Sequence, residues 1–377
     1  MSDTSPHPRP EALVIGPLPP PIMGPSLYTR TLCEALEAAG AAVVHVNTQD
    51  RRSVFNTGIL DVKNLVLGLV HVLQTGWRAR RRAVRVVYVP ISQNRWGYLR
   101  DAALIAAARA LRRPVVAHLH GANFQAYYGA APAAERWIVR RSLGACARVL
   151  ALTPGLRGVY AGIVEPARVG VLENAIEDPW PQGAEALIAA RAARPATRLL
   201  FVANDFAVKG AANLVRAMAD PALDGTTLKM VGAPPAEVAA ATRALAAELG
   251  IGHRVELCGE VAGAALTALY EWADLFVYPT ENDGQPLVVL EAMAAGLPIV
   301  TSTFGGVPDT VGDTAVLVAP KAPEQTTEAV RRLLGDAAER QRLGRAARRR
   351  YEAEYTVEGF RRRVREVFGP FLEAPAG

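Results

Sequence analysis

The chain has 377 residues, of which 50% are hydrophobic and 21% charged, which is typical of a globular protein rather than a disordered one. The best candidate for a membrane span, residues 64–73, is shorter than the roughly 18 residues that a span requires, and the N-terminal decapeptide lacks the apolar core of a signal peptide. Cys33, Cys146 and Cys258 have neither metal-ligand nor disulfide spacing. We therefore expect a cytoplasmic protein of two domains.

The charge is distributed unevenly along the chain. Residues 1–180 hold 21 Lys and Arg against 12 Asp and Glu, whereas residues 181–377 hold 21 against 24. The densest basic cluster, Arg78–Arg85, directly follows the apolar stretch 64–73, and this combination suits an anionic membrane surface at the inner face of the membrane. The alternative is a core-packed helix with a solvated basic end. Nucleic acid is not an expected partner, because the arginines lack interleaved stacking aromatics.

The first half of the chain alternates apolar strands with helical segments. The strands are predicted at 11–17, 41–47, 85–91, 113–121, 147–153 and 168–174. Helical periodicity occurs at 26–40 and 99–112 between them. Continuous apolar strands separated by amphipathic helices indicate a parallel sheet that is covered on both faces.

The second half repeats this pattern after a turn-rich stretch at 178–183. Its strands are predicted at 197–205, 225–232, 253–259 and 273–280, and the segment 338–368 is predicted to be helical. The sequence therefore predicts two doubly wound Rossmann-like domains, at 1–180 and 181–357, that face each other across a cleft. Residues 358–377 are expected to form a C-terminal helix that packs back on the first domain.

Residues 279–300 hold an acidic residue where it is least expected. A helix is predicted from Leu287 to Ala295, with Pro286 at its first position and Gly296 after its end. Glu291 lies inside this otherwise apolar helix, where a carboxylate is costly unless it is hydrogen-bonded or paired. The sequence therefore predicts a polar partner for Glu291.

The 273–312 stretch resembles the donor-binding signature of retaining glycosyltransferases of the GT-B superfamily, family 4. That signature has two glutamates with seven residues between them, and the second lies in a pattern that reads "LEAMAAGLP" here. The second glutamate falls on Glu291, and the first falls on Asp283. Weaker features of the same family span nearly the whole chain: "PPPIMGPS", "HLHG", "VLENAI", "FVANDFAVKG" and "FGGVPD".

The resemblance implies a nucleotide-sugar site. Free N–H groups at the start of the 287 helix form an anion site for the diphosphate, and Lys209 neutralises its charge as it leaves. Glu291 would accept hydrogen bonds from the ribose hydroxyls, and Asp283 would accept them from the sugar hydroxyls. His120 would face the donor sugar by analogy with the family, which gives His120, Lys209 and Asp283 as the catalytic set. The predicted donor-binding residues are Gly24, Asn204, Lys209, Asp283, Gly284, Gln285, Pro286, Leu287, Val288 and Glu291.

Two features depart from the family pattern. Ala203 and Asn204 occupy the positions of a usual Gly–Arg pair, so one positive charge is absent, and Asp283 is one methylene shorter than Glu. No Asp-x-Asp or His/carboxylate cluster is arranged for a divalent metal, so no metal and no cofactor are expected. These changes concern donor identity and turnover rather than the fold.

The sequence is therefore interpreted as a metal-independent hexosyltransferase. By resemblance, it moves a hexose with retention of configuration to a glycan or polyprenyl-linked acceptor in polysaccharide or glycolipid synthesis. UDP-sugar is the first expectation and GDP-mannose the second, with UDP or GDP as the product. A nucleotide-sugar epimerase of the same fold and a non-catalytic glycosyltransferase-like subunit are the alternatives.

Overall fold

The computed structural model describes residues 9–20, 23–49 and 62–373. The chain divides into two compact units. The first contains residues up to Ala175 together with residues from Val357 onward, and the second runs from Ile176 to Thr356. The sequence divisions were drawn at 180/181 and 357/358.

The first unit is built on a six-stranded parallel sheet in the order β2-β1-β3-β4-β5-β6. Its strands are β1 (Glu11–Gly16), β2 (Ala42–Asn47), β3 (Val84–Ile91), β4 (Val115–Leu119), β5 (Arg148–Ala151) and β6 (Val169–Val171). Nearly every side chain of the central strands is buried. The continuous apolar runs predicted this, because a sheet covered on both faces has no solvent side.

Helices cover both faces of this sheet. They are α1 (Gly24–Ala38), α2 (Val62–Ala79), α3 (Arg95–Ala110), α4 (Phe124–Ala130) and α5 (Ala133–Ala145). Helix α2 packs on α3, and α3 packs on α5, so these three form one continuous layer. The opposite face of the sheet packs against α1.

The second unit repeats this architecture with a sheet in the order β12-β11-β10-β7-β8-β9, again entirely parallel. Its strands are β7 (Arg198–Val202), β8 (Thr227–Val231), β9 (Val255–Gly259), β10 (Leu275–Tyr278), β11 (Ile299–Ser302) and β12 (Val316–Val318). Its helices are α6 (Ala184–Ala192), α7 (Ala211–Met218), α8 (Ala236–Glu248), α9 (Ala264–Trp272), α10 (Leu287–Ala294), α11 (Val307–Val311), α12 (Pro323–Gly335) and α13 (Ala337–Glu354).

The turn-rich stretch expected as a linker is packed within the second unit. Trp180 is buried, and its indole N–H donates to Glu271 at 2.9 Å. The carboxylate of Asp178 pairs with Arg348. These contacts explain why the division falls at Ala175/Ile176 rather than after residue 180.

The helical segment predicted at 338–368 consists of two helices, α13 and α14 (Val357–Leu372). The break follows from strand-like backbone pairing. The carbonyl of Tyr355 accepts the N–H of Ile176, and Thr356 bridges to Ile176. Helix α14 then packs within the first unit against α1, where Phe360, Val364 and Phe368 are buried.

Among the described residues, no helix is long and apolar enough to cross a membrane.

Candidate functional site in the second unit

The strand order fixes where a ligand site would lie in the second unit. Strand β7, the first strand of this unit, is flanked by β10 and β8, so the order reverses between β7 and β10. Open parallel sheets bind ligands at the carboxyl ends of strands next to such a switch point. The loop after β7 carries Lys209, and the loop after β10 carries Asp283. Sequence reasoning placed both residues in loops, and the topology makes those loops neighbours.

Hydrogen bonds tie the two loops together. The N–H of Glu281 donates to the carbonyl of Val208 at 3.0 Å, and the Thr280 hydroxyl donates to the same carbonyl at 3.4 Å. Gly210 completes the junction with φ of +84°, and a Cβ built there would lie 2.1 Å from the carbonyl oxygen of Pro279. Only glycine fits this close approach. The "AVKG" sequence therefore holds Lys209 against the β10 loop.

Lys209, Asp283 and Tyr278 form one cluster. The Lys209 Nζ donates to Asp283 Oδ2 at 2.8 Å and also to the carbonyl of Asn282. The Tyr278 hydroxyl donates to the same Asp283 Oδ2 at 2.7 Å. Both charged side chains are mostly covered, with 21% of Lys209 and 15% of Asp283 exposed. Asp283 was predicted to accept hydrogen bonds from sugar hydroxyls. One of its oxygens is engaged by these two donors, which leaves Oδ1 for a ligand.

Helix α10 begins at Leu287, as predicted, but Pro286 lies just before it. Pro286 has ψ of 127° and is the N-cap residue rather than the first helical residue, and its carbonyl accepts from Val289 and Leu290. The N–H groups of Leu287 and Val288 belong to the first turn, which has no intrahelical acceptor for them. They therefore form the kind of anion-binding terminus that the sequence predicted. Gly296 follows the helix with φ of +60°, as expected of a C′ glycine.

Glu291 has the polar partner that its apolar helix required. The hydroxyl of Tyr270 donates to Glu291 Oε2 at 2.6 Å, and Tyr270 itself is buried. Burial raises the pKa of Glu291 to about 7, and the Tyr270 hydrogen bond opposes that rise. The other oxygen, Oε1, is not used by Tyr270. A carboxyl in this state is suited to accepting hydrogen bonds from the hydroxyl groups of a ligand.

Sequence reasoning missed the two tyrosines of the site. Tyr270 lies on α9, a segment to which sequence reasoning assigned no role, and Tyr278 ends β10, a predicted strand within the 273–312 stretch. Burial raises the pKa of each hydroxyl well above its ordinary value, so both act as hydrogen-bond donors. A phenol at the carboxyl end of a buried strand was the available signal for Tyr278. No spacing pattern indicated Tyr270.

The remaining predicted residues of the second unit differ in exposure. Gly284, Gln285 and Pro286 are buried and form the approach to α10. Asn204 is exposed in the loop after β7, the same loop that carries Lys209. Among the described residues, no group of three His, Cys, Asp or Glu side chains is arranged to hold a metal ion.

The first unit brings His120 and Gly24 to the carboxyl edge of its own sheet. His120 directly follows β4, and its ring lies 4.3 Å from that of Tyr28, one helical turn beyond Gly24 on α1. The Tyr88 hydroxyl is 2.8 Å from His120 Nε2 and 3.3 Å from His118 Nδ1. Burial lowers the pKa of His120 to about 4, so the ring is neutral.

Comparison with known proteins agrees with this architecture. Residues 190–350 match the family model described as "Glycosyl transferases group 1". The D-inositol 3-phosphate glycosyltransferase of Corynebacterium diphtheriae is 33% identical over 180 residues, which make up 45% of this chain and 42% of that protein. The chain thus spans less than half the length of the first curated relatives that it matches.

Solved structures extend the likeness to nearly the whole chain. The sucrose-phosphate synthase of Thermosynechococcus elongatus has a TM-score of 0.76 at 19% identity and covers 98% of this chain and 100% of its own. Alr3699/HepE of Anabaena, in complex with UDP and glucose, has a TM-score of 0.70 at 16% identity and covers 95% and 99%. The fold is therefore the two-domain Rossmann-like GT-B fold predicted from the sequence. The family model and these neighbours together support the glycosyltransferase superfamily.

Proposed function

We propose that this protein is a retaining, metal-independent hexosyltransferase of glycosyltransferase family 4. It would move a hexose from a nucleotide diphosphate sugar to a glycan or lipid-linked acceptor in polysaccharide or glycolipid synthesis. The observation that carries the proposal is the set of groups at the β7/β10 switch point. It combines a cation (Lys209), a free helix N-terminus (α10) and a carboxyl with one unused oxygen (Glu291).

The proposed chemistry follows from charge. When the bond between sugar and phosphate breaks, negative charge grows on the departing diphosphate. The first N–H groups of α10 are fixed in place before the reaction, so they stabilise that charge without reorganising, and the Lys209 ammonium adds its positive charge. Lys209 must exchange part of its contact with Asp283 for the phosphate. In the absence of a ligand, the short Asp283 side chain keeps the ammonium in position.

The nucleotide would be recognised at Glu291. Its Oε1 is proposed to accept ribose hydroxyls, while Tyr270 holds Oε2 and fixes the direction of the carboxyl. UDP-sugar is the first proposed donor and GDP-mannose the second. The complex of Alr3699/HepE with UDP and glucose supports a uridine nucleotide. In this proposal His120 remains a catalytic residue, and its ring is neutral because burial lowers its pKa to about 4.

Nucleoside diphosphate release from a panel of donors, with and without acceptor glycans or polyprenyl-linked sugars, tests the proposal. We expect acceptor-dependent release from a UDP-hexose. Donor epimerisation without an acceptor would indicate the epimerase alternative. Nucleotide binding without any product would indicate a binding subunit.

A binding experiment tests the site separately from turnover. Glu291→Ala should weaken the binding of UDP and of UDP-sugar to the same extent, because the ribose is common to both. The expected loss is about 1.5–3 kcal/mol, or roughly 10- to 150-fold. Glu248→Ala, an exposed position on α8, is the control and should bind as the wild type does. If the folded Glu291→Ala variant binds UDP with the calorimetric affinity of the wild type, the assignment of Glu291 to the ribose is wrong.

A further inference from the structure

Helix α2 presents most of its large apolar side chains to solvent. Its buried face consists of small or polar residues, namely Gly68, His71, Thr75 and Ala79. Its exposed face carries Val62, Leu65, Val66, Leu69, Val70, Leu73 and Trp77. The three leucines are 66%, 59% and 63% exposed and recur every four residues, so they form one stripe. The core-packing alternative for this stretch is therefore wrong for these side chains.

The stripe is a local feature of the surface. Of the ten exposed large hydrophobic side chains among the described residues, seven belong to α2. Exposed apolar residues are usually scattered singly, and a contiguous patch marks an interaction surface. Contact with α3 fixes the helix to the protein, and the Cβ position of Gly68 lies 3.6 Å from the Arg100 side chain. The stripe therefore points away from the unit along about 22 Å of helix.

The surroundings of the stripe are strongly basic. Between residues 62 and 146, all of which are described, the chain holds 14 Lys and Arg but only two acidic residues. Both carboxylates are buried and paired. Asp101 contacts Arg100 at 2.7 Å, and Glu135 contacts Arg95 at 3.3 Å. The helix layer of α2, α3 and α5 therefore presents no carboxylate to an anionic partner.

Exposed basic and aromatic groups continue across this layer. Arg80 and Arg82 are exposed just beyond the end of α2. On α5, Trp137, Arg140 and Arg141 are exposed at helical spacing. Tryptophan and arginine beside an apolar stripe are the side chains that anchor a helix in the headgroup region of a bilayer.

We propose that the outer face of the α2–α3–α5 layer docks on an anionic lipid bilayer, with the α2 stripe lying in the plane of the interface. The apolar side chains would enter the headgroup boundary, and the arginines would contact lipid phosphates. A second copy of this chain is a poorer occupant, because a two-fold interface would bring the same basic surfaces together. This inference rests on no step of the proposed sugar transfer.

Vesicle co-sedimentation of the full chain tests the proposal without donor or acceptor. Phosphatidylcholine vesicles are compared with vesicles that contain about 30% phosphatidylglycerol. We expect binding only to the anionic vesicles, and we expect it to weaken as salt shortens the Debye length from about 10 Å to about 3 Å.

Two variants separate the apolar and basic contributions. One combines Leu65→Gln, Leu69→Gln and Leu73→Gln, which keeps helix propensity. The other combines Arg80→Ser, Arg82→Ser and Arg140→Ser. It leaves Arg81 in place because Arg81 pairs with the buried Glu11 at 2.8 Å. We expect the arginine variant to weaken partitioning on the order of 100-fold, since it removes three basic side chains from an anionic surface. We expect a similar loss in the leucine variant, since it removes three apolar side chains from the interface. The control combines Arg216→Ser, Arg243→Ser and Arg332→Ser, an equal loss of exposed charge in the second unit.

The outcomes are distinct. Loss of binding in both test variants, with a wild-type melting curve and a normal control, supports the docking face. Equal binding to both vesicle types, no binding to either, or an equal loss in the control overturns it. A leucine variant that sediments normally but converts a dimer to a monomer in light scattering also overturns it, in favour of a second copy. Nucleoside diphosphate release from soluble substrates is measured separately, so failure here leaves the proposed function untouched.

Discussion

At the scale of single residues, Asp283 changes what Lys209 can do. A glutamate at this position would reach about 1.5 Å further. Asp283 is short enough to stay beside the tyrosine that ends β10 and to hold the lysine there. The ion pair is mostly shielded from water, so removing one partner leaves a covered charge, which is costly. Lys209 and Asp283 should therefore behave as a coupled pair.

Lys209→Ala should lower turnover more than it lowers affinity for the sugar nucleotide, because phosphate charge grows toward the transition state. We expect kcat to fall roughly 100- to 1,000-fold. Lys229→Ala is the matched control, since Lys229 lies on β8 and pairs with Glu256. Full activity in the Lys209 variant would mean that the diphosphate is held by other groups.

Glu291 should make stability depend on pH. Its folded-state pKa is about 7 against an ordinary 4.5, so the folded protein binds this proton more tightly than the unfolded chain does. The cost of ionising it is absent below pH 4.5, develops between 4.5 and 7, and is complete above 7. Glu291→Gln removes this cost.

The free energy of unfolding of the variant should therefore rise relative to that of the wild type as pH rises, by on the order of 3 kcal/mol. Urea denaturation of both proteins at a series of pH values measures this. A difference that stays constant from pH 4.5 to pH 8 contradicts the raised pKa.

The sequence predicted that Glu291 needs a partner but could not name it. The requirement followed from one carboxylate in an apolar helix, which is local information. The partner, Tyr270, lies 21 residues earlier on α9. Nothing in local spacing encodes a contact that forms only when α9 and α10 pack in the same unit.

At the scale of elements, helix α10 is held at its carboxyl end by two arginines from other helices. Arg191 on α6 donates to the carbonyls of Ala295, Ala273 and Tyr270 at 2.6–3.0 Å. Arg348 on α13 donates to the carbonyl of Ala294 at 2.7 Å. Cations at a helix carboxyl end complement its dipole. The same contacts fix the direction in which the amino end of α10 faces its proposed ligand.

Arg191→Gln should destabilise the second unit, because a shorter amide cannot satisfy all these buried carbonyls. Burial lowers the pKa of Arg191 to about 10, so the guanidinium remains charged at neutral pH and its hydrogen bonds are charge-assisted. We expect a loss of about 3–5 kcal/mol in denaturant unfolding. Arg243→Gln, at an exposed position on α8, is the control. Equal midpoints for the two variants would contradict this role of Arg191.

Periodicity predicted elements better than it predicted their orientation. The apolar stretch at 64–73 lies within α2, as the spacing indicated, but its larger side chains face outward. Helical period shows that apolar residues share a face, not which neighbour covers that face. Here α2 approaches α3 at Gly68, whose Cβ position lies 3.6 Å from the Arg100 side chain, and a small residue allows two helices to pack closely.

At the scale of the whole molecule, strand positions followed from the sequence more readily than domain limits. Runs such as residues 85–91 are apolar throughout, so burial on both faces was evident before any fold was known. The second unit also has the doubly wound strand order, which local patterns do not encode. The first limit was misplaced because the Pro-rich 178–183 stretch reads as a linker, whereas Trp180 and Asp178 pack into the second unit.

The chain returns to its first unit at the end, so that unit is complete only when α14 is present. Phe368 on α14 is fully buried with Tyr28 and Leu32 of α1, whereas Phe371, one turn later, is only partly buried. Phe368→Ala should therefore cost about 3–5 kcal/mol. Phe371→Ala, the matched control on the same helix, should lower the free energy of unfolding clearly less.

Hydrogen exchange shows which part of the chain loses stability. In Phe368→Ala the amides of β1, β3 and α1 should lose protection, while those of β7 and β10 should keep it. Equal loss of protection in both units would mean that α14 stabilises the chain as a single cooperative body, contrary to its packing in the first unit alone.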